Sequence, residues 1–149
     1  MKPTRVGDLL ALAALTGVLA WVVVRAFYGD LPPISRLAGL PLLVLGAAEV
    51  GLAGVLRPRI ERRRGARLLD PIMAARSAAL AKASSLAGAL LSGAWVGLGI
   101  FLLTERDRLS AAVDDTAGAV LGLASSLVLV AAALWLERTC RTPGDRDVR

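Results

Sequence analysis

Glu49 is the only charged residue in the 20-residue stretch from Leu37 to Leu56, and an acid in that setting invites chemistry. A carboxyl enclosed by apolar side chains costs several kcal/mol as an unpaired anion, so it is protonated, paired or bound to a cation. The sequence offers one basic partner at the right depth, Lys82. If Leu37 to Leu56 is a helix, Glu49 lies about 10 Å above its inner end, and Lys82 lies about 9 Å beyond Arg76 on the next rising helix. Ser84 and Ser85 follow directly and supply hydroxyls at a similar depth. Glu49, Lys82, Ser84 and Ser85 therefore form the candidate intramembrane polar site. One reading makes it structural, a buried pair or a protonated acid bonded to a serine or a backbone carbonyl. The other makes it a proton or cation site of the kind small transporters use.

Other chemistry is scarce. The chain has no histidine and one cysteine, Cys140, so an intramolecular disulfide, histidine-based catalysis and a His/Cys metal site are excluded. The polar residues contain no nucleophile–base pair and no clustered metal ligands, so no catalytic residue, metal ligand or cofactor is assigned.

The element that must carry Glu49 is a membrane helix, and there are four candidates. Leu9 to Val24, Leu37 to Leu56, Ala83 to Thr104 and Thr116 to Leu136 compare with the roughly 20 residues a spanning helix needs. A hydrophobic content of 56% exceeds the roughly 45 to 50% usual in soluble domains, and the mean hydropathy of +0.63 points the same way. The predicted fold is all-α, a polytopic bundle of four transmembrane helices in one domain. The helices are expected at about 6–28, 36–56, 71–104 and 116–137, with a basic cytoplasmic loop at 57–70 and a cytoplasmic tail at 138–149.

Charge placement orients this bundle. With both ends and the second loop inside, 14 of the 18 basic residues lie in the cytoplasm and 4 outside, as the positive-inside rule requires. The sequence thus predicts a multi-pass protein of the cytoplasmic membrane with both termini cytoplasmic. The rival reading of the first segment is a cleaved signal peptide. It is disfavoured because the run ends in Val22, Val23, Val24 and Arg25 without a small-residue cleavage site.

Local signals mark the helix ends. Ser35 is available to cap the second helix, Asp70 and Pro71 form a cap followed by a first-turn proline, and Asp114, Asp115 and Thr116 offer caps for the fourth. Small residues recur at helical spacing: Ser84, Gly88 and Ser92, then Gly93 and Gly97, on the third helix, and Gly118, Gly122 and Ser126 on the fourth. Such stripes let backbones approach closely, which drives association in lipid. Helices three and four should pack together, and assembly of one chain is favoured over a dimer interface. Ala47, Gly51 and Gly54 give helix two a weaker surface of the same kind.

The densest charge lies in Arg57, Arg59, Arg62, Arg63, Arg64 and Arg67. It reads as a topology anchor touching anionic lipid headgroups at roughly 1 kcal/mol per residue. Nucleic-acid binding would call for interleaved aromatics or a recognisable module, and neither is present.

Leu69-Asp70-Pro71 through Ala74-Ala75-Arg76, Leu80-Ala81-Lys82-Ala83-Ser84-Ser85-Leu86-Ala87-Gly88-Ala89, Thr4-Arg5 and Phe27-Tyr28-Gly29-Asp30-Leu31-Pro32 carry a resemblance. Together they resemble a family of small actinobacterial four-helix integral membrane proteins catalogued as a domain of unknown function and often encoded near folate-pathway genes. The resemblance implies a membrane fold and brings no activity with it. The expectation is a non-enzymatic accessory or scaffold subunit that binds a membrane protein partner, or further copies of itself, in the bilayer and at its basic cytoplasmic face. The alternative is a small carrier or proton-linked transporter using Glu49.

Overall fold

The computed structural model describes residues 5–30, 35, 37–60, 71–105 and 110–139. Within them the chain forms four α-helices: α1 (Val6–Phe27), α2 (Leu40–Ile60), α3 (Pro71–Glu105) and α4 (Ser110–Thr139), with a short 3-10 turn at Tyr28–Asp30. Within the expected 36–56 helix, residues 37–39 form a different entry. Leu37 donates its amide to Ser35 Oγ at 3.2 Å, and a turn over 37–39 leads into α2 at Leu40. Pro41 falls in the first turn, where its missing amide breaks no helical hydrogen bond.

α3 begins at Pro71 and runs 35 residues, about 52 Å at 1.5 Å per residue, which is several turns longer than a 30 Å hydrocarbon layer. α4 begins at Ser110, six residues before the expected start at 116, so Asp115 lies inside the helix and is buried, not a cap. α2 continues to Ile60 and takes Arg57 and Arg59 into its last turn; residues 61–70 of the expected basic loop lie outside the described residues.

α3 and α4 are the central antiparallel pair. α1 packs principally on α3, and α2 principally on α4. The glycines show how close these approaches are. A Cβ on Gly93 would collide with Ala13 O and Thr16 Oγ1, and one on Gly97 with Gly17 O. On the opposite side of α3, a Cβ on Gly88 would lie 2.7 Å from Val130 Cγ2 and 3.3 Å from Ser126 O of α4. Gly88 and Gly93 are five residues apart, about 140° around a helix of 3.6 residues per turn, so one helix serves two neighbours. The sequence stripe thus divides: Gly93 and Gly97 belong to the α1 contact, while Gly88 faces α4.

α2 contributes Gly46, Glu49, Ala53 and Leu56 to the interior, and Gly39 in the turn before it is buried as well. The 3- and 4-residue spacing from Gly46 to Leu56 makes a single seam along one helix face, which Gly39 extends seven residues back. Gly39 meets Ser125 and Leu121 of α4, and Gly46 meets Leu129. The surface expected from Ala47, Gly51 and Gly54 is on the other side: all three are exposed, and a Cβ on Gly51 or Gly54 would meet nothing within 4 Å.

Outside, large apolar side chains face away from the bundle on every helix, including Leu10, Val18 and Val22 on α1, Val44 and Val55 on α2, Ile100 and Leu103 on α3, and Val120 and Leu127 on α4. α1, α3 and α4 contain stretches long and apolar enough to cross a membrane, and α2 contains the shorter apolar stretch Leu40–Leu56.

Candidate functional site

Among the described residues eight polar or charged ones are buried, and six of them are serines. The hydroxyls of Ser77, Ser85, Ser92, Ser125 and Ser126 each donate to a carbonyl three or four residues earlier in their own helix, at 2.6 to 2.9 Å. A serine can satisfy itself in this way; a carboxyl cannot, because an ionised carboxylate only accepts and helix amides are already engaged.

Glu49 is the consequence. It is 1% exposed, and neither oxygen has a hydrogen-bond partner. The Ser84 hydroxyl of α3 is near the carboxyl but forms no hydrogen bond with it. One turn further along α2, Ala53 and Leu56 close against Ala81 of α3 and Leu136 of α4. One turn back, Gly46 rests on Leu129. The acid is thus enclosed by apolar packing along its helix in both directions.

The expected pairing with Lys82 does not form. Lys82 is exposed, whereas Ser84 and Ser85 are buried. Equal depth along two helices leaves rotation about the helix axis undetermined. Lys82 precedes Ser84 by two residues, about 200° of rotation, so it points nearly opposite to the hydroxyl beside Glu49. Among the described residues no other ionisable group shares the level: α2 has none between Leu40 and Arg57 besides Glu49, α3 has none between Lys82 and Glu105, and α4 has none between Asp115 and Glu137.

The remaining packing residues are placed as follows. Ser92, Gly118, Gly122 and Ser126 are buried along with Gly88, Gly93 and Gly97. Gly122 receives the indole of Trp95, whose six-membered ring fills the space a Cβ would need. The side chains of Arg57 and Arg59, and all of Arg62, Arg63, Arg64, Arg67 and Cys140, lie outside the described residues. Among the described residues no group of three or more His, Cys, Asp or Glu comes together to hold a metal ion.

A second polar contact was not anticipated. Tyr28, just past α1, donates its hydroxyl to Asp115 Oδ2 at 2.9 Å and stacks obliquely on Phe101, with ring centroids 4.9 Å apart. Burial first, then the hydrogen bond to Asp115 and its negative charge, pushes the phenol up to about 12. Around it, Leu98, Phe101, Leu102 and Ala119 pack with Trp21, Val24 and Trp95. The signal in the sequence was the aromatic cluster at 27–28, which marks an interface without naming its partner. Beside it, the Arg25 guanidinium lies 5.4 Å from the centroid of the Trp21 ring.

These features define an all-α bundle with three helices fit to cross a membrane, a shorter apolar fourth, and a buried acid, Glu49, enclosed by apolar packing. The chain belongs to a family described as protein of unknown function (DUF3180), whose model matches residues 9–144. No curated protein and no solved structure matches it.

Proposed function

We propose that this chain is a four-span protein of the cytoplasmic membrane, with both termini in the cytoplasm, that acts as a non-enzymatic accessory or scaffold subunit. The observation that carries the reading is the inside-out distribution of polarity. Serines and Glu49 are turned inward, and large apolar side chains coat the outside of all four helices. In water such a coat would drive aggregation; in lipid it is the stable surface. The subunit role is supported by how little of α1 and α2 is covered. Only 11% of the apolar stretch of α1 is buried, against 44% for α3 and α4, and the Ala47, Gly51 and Gly54 face of α2 is open.

Purification in native lipid discs tests the role. A partner protein at fixed stoichiometry, retained by the wild type and lost from Gly51→Trp, fits the subunit reading; a protein that stays alone contradicts it. A second reading, a small carrier linked to protons, is favoured by Glu49 alone. Its test is proton flux in liposomes, present for the wild type and lost in Glu49→Gln.

A further inference from the structure

We infer that Glu49 is an intramembrane proton-binding site, occupied by a proton when α2 is seated against α3 and α4. The inference rests on the reading of α2 as membrane-embedded and is independent of whether the protein is a subunit or a carrier.

Three observations lead there. Glu49 is 1% exposed with both oxygens unpartnered. Among the described residues no cation reaches it: Lys82 on α3 is exposed and turned away, α4 carries no ionisable group between Asp115 and Glu137, and α2 carries none other between Leu40 and Arg57. Apolar closures flank it, Gly46 on Leu129 in one direction and the Ala53, Leu56, Ala81 and Leu136 cluster in the other. A bare carboxylate in that enclosure has no compensation, and breaking or omitting the partner of a buried charge is strongly destabilising. The neutral acid avoids the charge and gains a donor. Its O–H has an acceptor close by in the hydroxyl oxygen of Ser84.

Protonation and packing are then one event. With a proton on Glu49, the seam of Gly39, Gly46, Glu49, Ala53 and Leu56 is neutral and closes on its neighbours. Loss of the proton leaves a charge that the enclosure cannot hold, so α2 must shift to admit water or a cation. The ligand is a proton because the described surroundings lack the convergent oxygens that a metal ion requires: one carboxyl and one hydroxyl make a poor cage for an ion needing about six.

Infrared spectroscopy of the purified protein in lipid discs reads the site directly. The wild type at neutral pH should show the carbonyl band of a protonated carboxylic acid that is absent from Glu49→Gln, and raising the pH should convert it to carboxylate bands. Glu49→Asp should keep a protonated band at a shifted position, so the test survives poor expression of one variant. A wild type without the band at neutral pH, or a band that persists in Glu49→Gln, overturns the proposal. Thermal stability that depends on sodium or potassium and is lost in Glu49→Gln would also overturn it, in favour of a bound cation. A protonated band in a protein without proton flux would leave the site standing and exclude the carrier reading.

Discussion

Tyr28 hydrogen-bonds Asp115 across 87 positions of sequence, joining the turn after α1 to the first turns of α4 at 2.9 Å. The contact matters because α1 packs principally on α3, so this bond and the stacking of Tyr28 on Phe101 fix how the end of α1 reaches the central pair.

Tyr28 is the only tyrosine in the chain, so its titration can be followed without assignment. Tyrosinate absorbance should appear near pH 12, where the phenol has been pushed mainly by burial and secondarily by Asp115, and not near the ordinary value of 10.0. Since the folded value is raised, the stability that Tyr28 contributes is complete below about pH 10 and is lost as pH rises toward 12. Asp115→Asn should lower the midpoint only in part, because burial remains.

Tyr28→Phe keeps the ring on Phe101 and removes the hydroxyl. It should cost roughly 1.5 to 3 kcal/mol, the range for a hydrogen bond to a charged acceptor, measured as a fall in thermal midpoint in detergent. An unchanged midpoint would show that the bond is not formed.

Glycine-to-alanine changes should differ in sign by position. Gly93→Ala and Gly97→Ala place a methyl against backbone oxygens of α1 and should destabilise by about 1 to 3 kcal/mol, whereas Gly51→Ala enters open space and should be neutral or stabilising by up to about 1 kcal/mol. Equal effects at Gly93 and Gly51 would contradict the α1–α3 contact.

Glu49 and Lys82 should behave independently. Glu49→Gln is expected to raise thermal stability, Lys82→Met to change it little, and the double change to equal their sum within about 0.5 kcal/mol. A large coupling term would restore the ion pair that the opposed faces of α3 argue against.

Much of this arrangement is legible along the chain, because apolar runs and helix-ending signals are properties of consecutive residues. Pro71 starts α3 as its residue type predicts, and the four apolar stretches become four helices. What the sequence conceals is rotation. These helices are apolar nearly all round, so no polar face shows which side turns inward. Lys82 matches Glu49 in depth and misses it in azimuth; Gly93 and Gly88 belong to one apparent stripe and touch different helices. Asp115 resembles a cap by type, yet α4 starts at Ser110 and carries it into the bundle to meet Tyr28.

The central claim is that all four helices span the membrane, and α2 decides it, since its apolar stretch Leu40–Leu56 is the short one. At 1.5 Å per residue those residues cover about 25 Å, close to the hydrocarbon thickness. Paired reporter fusions after Arg57, Asp107 and Arg149 in cells measure it. The account predicts cytoplasmic, external and cytoplasmic signals in that order. If α2 does not cross, every later position inverts, and external signals after Arg57 and Arg149 with a cytoplasmic one after Asp107 would contradict the four-span topology.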